Sequence, residues 1–523
     1  MRPAALMLLV GAGCQPAPGG GPQLVTAAAI QRALTSADEA WLGYAVDPPD
    51  DAEIRRQVDL AVDLRWRRDA DVWLDQKEPG EQYFHAIRDQ GALDRVGLGP
   101  EALFVLGDDL FELSFRPEHG LGNGLGGRDG MLAGPHAAPN ARRVHQGEFG
   151  GPDALGCSEC HFKGGLNGAG HATQNAFLRG DGRRTRSADV RNPPHLLGLG
   201  AVQRLAQEMT ADLVAQRDAA VAAGAARTYA LTSKGVSFGS ISVAADGMVD
   251  TAGVRGVDAD LVVKPFGWKG HSPTLRAMAE ESFRIHLGIL SVRAEQALQR
   301  GDLPAALYGD GDAYDADRDG VSLELDDGML TTMVFYLAQL EVPVIRIPQD
   351  TGLAIAHARG RNVLSEVGCT GCHVPSLELR NPVLEVRPEA DPWRGLSPPL
   401  FVDVARDGER PKVEPTSASL TPTYNVTLFS DLRRHDMGEA LASPGPQGNI
   451  PATVFLTRPL WGLADTAPFL HDGRATTVDE AIRLHGGEAA ASRDAYNALP
   501  DEERRALRVF LLSLTRSDRA LVP

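Results

Sequence analysis

Two short stretches decide how this chain is read: Cys157-Ser158-Glu159-Cys160-His161 and Cys369-Thr370-Gly371-Cys372-His373. In each, a pair of thiols is spaced C-x-x-C and a histidine follows at once. With that spacing the thiols add to the two vinyl groups of one haem, while the adjacent imidazole reaches the iron from the proximal side. The chain has five cysteines, and the remaining one, Cys14, stands alone. Chance placement of this composition gives on the order of 0.001 such motifs, so two are not accidental. A redox dithiol would sit on a strand-helix-strand pattern, which neither segment has. A zinc site needs four converging ligands, and neither set shows its closing pair. Cys157, Cys160 and His161, and Cys369, Cys372 and His373, are therefore read as two covalent haem c sites, with His161 and His373 on iron.

The 523 residues are 43% apolar and 23% charged, with 57 glycines and 35 prolines, which describes a large globular protein with many turns and long loops. Its formal charge of -17 repels nucleic-acid phosphate, and no basic patch offsets it, so no nucleic-acid partner is expected. The N-terminus opens with Arg2, an uncharged run, and then Cys14 before a Gly/Pro-rich exit. That order is that of a secretory leader, and Cys14 resembles the lipidated first residue of a bacterial lipoprotein, although Gly11 stands where such signals usually carry leucine. A periplasmic protein, tethered to the membrane through Cys14, is expected. Residues 329–342 are apolar but short and interrupted by Gln339 and Glu341, too little for a spanning helix.

The pattern along the chain predicts a leader over 1–22, a helical extension and glycine-rich loop over 23–150, and haem units over 151–350 and 351–523. Helical repeats mark 27–41, 51–65, 328–340 and 354–367, the last stopped by Gly368 immediately before Cys369. Asp501 is expected to cap a final helix with Leu507, Phe510, Leu511 and Leu514 on one stripe. Around 232–265, Val236 and Phe238 alternate in one phase and Ile241 and Val243 in the other, predicting a short hairpin with a bulge or turn at Gly239-Ser240. The fold class expected is mainly α: two cytochrome c-like haem domains with long loops, a β-hairpin insertion and a helical N-terminal extension. Asp315, Asp317 and Asp319, followed by Gly320 and ending at Asp326, approach a calcium loop, with Asp310 and Asp312 just upstream. Such Asp-Gly runs also form solvated turns; if Ca²⁺ binds, it would pin the two halves together.

Each iron has a second axial position. A helix over 478–484 would put His485 at its end, able to turn toward the second iron, and Met437 is the rival, since thioether is common on electron-transfer haem. For the first iron His136, His145, His171 and His195 are candidates, and an open position is preferred.

Pro459-Leu460-Trp461-Gly462-Leu463, Ala467-Pro468-Phe469-Leu470-His471-Asp472-Gly473-Arg474-Ala475 and His485-Gly486-Gly487-Glu488-Ala489 resemble the bacterial di-haem oxidoreductase family. That family is more distantly similar to di-haem cytochrome c peroxidases. Phe266-Gly267-Trp268-Lys269, the 432–438 stretch and Arg191-Asn192-Pro193-Pro194 add to the likeness, which runs over about 150–523. The resemblance implies His485 on the second iron, where peroxidases use methionine, and histidine there lowers the reduction potential. It implies that Trp268 bridges the haems, against the plainer reading of a core aromatic. It implies that His471 and Arg474 contact propionates, against that of a rigid turn. Where the family's catalytic glutamate is expected, this chain has Gln203, which cannot shuttle a proton as a carboxylate does; Glu208, about a turn away, is the candidate substitute, against the plainer reading of a solvated helix residue.

Two functions from different classes follow. One is a peroxidase-like oxidoreductase that takes electrons from a small redox protein at the His373 haem and reacts with hydrogen peroxide or a related oxidant at the His161 haem. The other is a non-enzymatic di-haem electron carrier serving metal uptake, favoured by Gln203.

Overall fold

The computed structural model describes residues 90–116, 119–121, 144–145, 148–149, 154–170, 190–302, 321 and 323–516. The leader with Cys14, the predicted helices over 27–41 and 51–65, His136, His171, Asp310, Asp312, Asp315, Asp317 and Asp319 lie outside them. His145 belongs to a two-residue strand, Val144–His145.

A helix that is apolar all round has to be buried all round, and Asp327–Gln339 is, at every residue. The helices Pro100–Glu112, Leu199–Ala222 and Leu275–Ser282 pack around it. Gly107 permits the closest approach: a Cβ there would lie 2.4 Å from the Thr332 carbonyl oxygen. The post is tied at its start, where Arg276 donates to Asp327 at 2.5 Å and to Thr331 at 2.6 Å, and Thr331 donates to Gln90 at 2.7 Å.

A second, smaller core lies between Thr351–Glu366 and Asp501–Leu511, with Val363, Leu364, Leu507, Phe510 and Leu511 facing one another. The helices touch through Gly360, where a Cβ would stand 2.0 Å from the Ala506 carbonyl oxygen. Asp350 caps the first of the pair by accepting from Leu353 N at 2.9 Å, and Gly368 ends it in the left-handed region at φ 83°. In the second helix Pro500 holds the N-cap position and Asp501 is the first helical residue, so Asp501 acts on the helix dipole, not as the cap.

The expectation of a mainly α fold is corrected to helices mixed with many small antiparallel sheets. Leu377–Leu379 pairs with Tyr424–Val426 and that with Glu414–Pro415; Val383–Val386 pairs with Leu400–Asp403, Arg434–Asp436 with Val454–Leu456, and Val344–Ile345 with Leu514–Thr515. Strands of two to four residues joined over long loops leave no alternating pattern to read. A hairpin is present but starts earlier, as Arg227–Ser233 against Val236–Val243, and turns at Lys234-Gly235, so Gly239-Ser240 lies within a strand and not at a turn; a third strand, Val249–Asp250, extends it. The register shifts between Ala230 and Thr232, and Gly239, at φ 78°, changes the phase so that Val236, Phe238, Ile241 and Val243 are all buried. Among the described residues no helix is long and apolar enough to cross a membrane.

Candidate functional site

The two C-x-x-C-H segments fold alike. Cys157–Glu159 and Cys369–Gly371 each form one 3₁₀ turn. In the first, Cys160 N and His161 N both donate to Cys157 O at 3.1 Å; in the second, Cys372 N and His373 N donate to Cys369 O at 3.3 and 2.9 Å. Each turn delivers its histidine to a half-buried place with Nδ1 beside a carbonyl: His161 at 3.2 Å from Gly168 O, His373 at 3.1 Å from Phe429 O. A carbonyl only accepts, so Nδ1 carries the proton and Nε2 keeps its lone pair, the tautomer of a metal-bound imidazole. Burial lowers the pKa of both to about 4, keeping both rings neutral.

His485 repeats the arrangement. It is the C-cap of Val478–Leu484, a helix opened by a capping box between Thr477 and Glu480, and its Nδ1 is 2.7 Å from Ala481 O. Burial pushes its pKa down as well, and its charge would in turn depress that of His373. His373, His485, Cys369, Cys372 and Met437 line one cavity of about 530 Å³. That volume is in the range of roughly 300–1,000 Å³ that holds a cofactor, and Phe455, Leu456, Leu460, Phe469 and Ile482 make its walls largely apolar. A neutral imidazole pair, two thiols and an apolar cavity fit an iron macrocycle and fit a hydrated ion poorly.

The cavity reaches toward the first unit through Asn192, His195 and Trp268. Trp268 Nε1 donates to Asn192 O at 2.7 Å, and its ring stands 6.5 Å from that of His471. His471 is buried against Phe455 at 4.4 Å, and burial holds its pKa down. Arg474 lies outside the lining and is half-exposed, donating to Asp472 at 2.6 Å and to Ala440 O at 2.7 Å. Of the two residues suggested for propionates, only His471 faces the cavity. His195 has no nitrogen left for iron: Nε2 donates to Trp461 O at 2.9 Å and Nδ1 accepts from Leu197 N at 3.2 Å.

The two side chains suggested for proton transfer are engaged elsewhere. Gln203 Oε1 accepts from Leu275 N at 2.7 Å, tying two helices. Glu208, buried, accepts from Lys234 at 2.5 Å, from Asn381 N at 2.7 Å and from Arg380 N at 3.1 Å. Burial raises its pKa, but these donors outweigh burial and hold it below the usual carboxylate range. Asp326 caps Asp327–Gln339, donated to by Asp327 N at 2.5 Å.

Three residues near the C-x-x-C-H histidines or the cavity escaped the sequence reading. His286, on the π-turn Phe283–Leu287, is close enough to His161 for its charge to depress that ring's pKa. Arg458 lines the cavity beside Trp268. His435, although within a quoted motif, had no assigned role: it sits 3.8 Å from Cys372 Sγ, between Asp431 and Glu488, each at 2.8 Å. With both nitrogens on carboxylates it is a charge pair, not a further ligand. Only folding brings these residues close, so spacing carried no signal for them.

No curated protein matches the chain. Among solved structures it is similar to hydrazine synthase of Kuenenia stuttgartiensis, with 17% identity over 37% of this chain and 57% of that one at TM-score 0.21. It is similar as well to a MauG-like protein associated with microbial copper homeostasis, with 16% identity over 54% and 81% at TM-score 0.26. The chain thus spans less than two thirds of the hydrazine synthase chain, and scores this low bear on neither fold nor function. Residues 414–514, the segment that carries His435, Met437, Trp461, His471 and His485, match a family described as "Di-haem oxidoreductase, putative peroxidase". Over that segment, about a fifth of its length, the chain is similar to the di-haem oxidoreductase family.

Proposed function

We propose that this chain is a periplasmic, peroxidase-like oxidoreductase built from two cytochrome c-like units, each with one covalently attached haem c. Electrons from a small redox protein enter at the His373 haem and pass, by way of Trp268, to the His161 haem, where hydrogen peroxide or a related small oxidant is reduced. The observation that carries the reading is the shared geometry of His161, His373 and His485, three half-buried neutral imidazoles whose Nδ1 is held by a carbonyl. The bound haems supply the redox chemistry, delivering the two electrons that, with two protons, reduce hydrogen peroxide to two waters. The protein supplies ligands, an apolar cavity that excludes water, and an aromatic between the units.

The reading is tested by making the full chain in a host that matures c-type cytochromes and weighing it after denaturation. Two haems that survive acid-acetone extraction support it. Bare polypeptide mass with stoichiometric zinc contradicts it.

A second reading, an electron carrier, is favoured by one observation: Gln203 and Glu208 are both committed to structural partners. It places His286 on the first iron, giving two low-spin haems. His286→Ala would then turn one of them high-spin, whereas the enzyme reading expects that haem high-spin already.

A further inference from the structure

The cavity holds a cation that nothing in the described protein neutralises. Arg458 follows the strand Val454–Leu456 in the run Thr457-Arg458-Pro459, and its guanidinium lies over the ring of Trp268, 5.5 Å from the centroid. Among the described residues no carboxylate pairs with it and no carbonyl accepts from it. Its pKa is pushed down to about 10 by burial alone, with no acidic neighbour to raise it. The other arginines of the cavity differ. Arg433 has Asp431 at 3.9 Å, and Arg493 donates to His485 O at 3.1 Å and to Asp494 at 2.9 Å. Arg474, which the sequence suggested for propionates, is spent on Asp472.

A half-buried, unpaired guanidinium lining an apolar cavity is unfavourable unless an anion joins it, and its planar fork matches a carboxylate with two parallel hydrogen bonds. The group expected in this cavity is apolar over its ring and carries its anions as carboxylates at one edge. We propose that Arg458 binds a propionate of the haem held by His373, at the end of the cavity formed by Trp268, and so raises that haem's reduction potential. The inference rests on the reading that this cavity holds a haem. A cation beside the propionate favours the ferrous state, which carries one positive charge fewer than the ferric, and it keeps the propionate ionised through neutral pH.

The test is a potentiometric titration of wild-type, Arg458→Leu and Arg458→Lys holoprotein at several pH values, following the two haems separately by optical and EPR signals. For Arg458→Leu the ferrous-to-ferric ratio of the His373 haem at fixed potential is expected to fall about tenfold, a one-electron shift of about 59 mV, with its low-spin signal retained. Its midpoint should also become steeper with pH in the neutral range as the propionate begins to titrate. Arg458→Lys should restore most of the potential, and the His161 haem should move little. An unchanged His373 haem in both variants, or a shift confined to the His161 haem, would overturn the proposal. So would a wild-type midpoint that follows added chloride or phosphate, which would make the occupant a free anion. Should the leucine variant not mature, Arg458→Gln removes the charge while keeping hydrogen-bond donors and is read in the same way. A wild type without haem instead defeats the proposed function, and shows in its first spectrum.

Discussion

His373 and His485 line one cavity with the same side turned to the backbone, Nδ1 at 3.1 Å from Phe429 O in one and at 2.7 Å from Ala481 O in the other. One arrives from a 3₁₀ turn that follows a helix stopped by Gly368, the other from the C-terminus of a helix opened by a capping box. Two such imidazoles on one iron make a strong-field pair and a low potential.

His485→Ala is therefore expected to change the second haem from low-spin to high-spin, read by EPR of the oxidised protein. His485→Met should keep it six-coordinate and raise its midpoint, the ferrous-to-ferric ratio at fixed potential growing at least about tenfold, or 59 mV. An unchanged low-spin spectrum in the alanine variant would give the position to Met437.

Gly368 stops Thr351–Glu366 at φ 83°, and a Cβ there would meet Ser492 Oγ at 2.9 Å. Gly368→Ala should cost about 1–2 kcal/mol of stability and misplace Cys369, lowering haem occupancy at the second motif while leaving the first full. Haem content per chain and thermal unfolding measure both.

Glu208 joins Leu199–Ala222 to Lys234 and to the backbone at Arg380 and Asn381. Its folded pKa lies below the ordinary 4.5, so its stabilisation is complete above that value and is lost as pH falls through the folded value. Glu208→Gln should lower stability by about 3 kcal/mol at neutral pH by stranding buried Lys234, and should flatten the acid limb of the melting-temperature profile. A redox phenotype without a stability loss would return Glu208 to catalysis.

His435 behaves with the opposite sign. Burial lowers its pKa, but hydrogen bonds to Asp431 and Cys372, with the charge on Asp431, raise it to about 10. Its contribution is complete below the ordinary 6.5 and disappears as pH rises toward 10. His435→Asn should lower the melting temperature most below 6.5 and converge with the wild type at alkaline pH. Parallel profiles would show that the ring is not charged.

What could be read in the sequence was local. The helix expected over 478–484 is present as Val478–Leu484 with His485 at its end, and Gly368 announced the stop before Cys369. The C-x-x-C-H spacing singled out two histidines, and each sets Nδ1 beside a backbone carbonyl. The small sheets could not be read, because Leu377–Leu379 finds Tyr424–Val426 across a long loop and neither strand is long enough to alternate. Glu208 read as a solvated helix residue or a substitute proton donor, and is neither, because its partners, Lys234, Arg380 and Asn381, are brought to it only by folding. Arg458 was passed over for the same reason: next to Thr457 and Pro459 it is an ordinary arginine, and only folding sets it over the ring of Trp268 in the cavity wall.

The central claim is that the two irons differ, the His373 iron closed by His485 and the His161 iron open to oxidant. Low-temperature EPR of the oxidised and the half-reduced holoprotein, each with and without hydrogen peroxide, tests it most directly. The account predicts a low-spin ferric signal from the His373 haem and a high-spin ferric signal from the His161 haem that peroxide alters. Two low-spin signals when oxidised, with the signal left on half-reduction still low-spin and neither state disturbed by peroxide, would contradict it and leave an electron carrier.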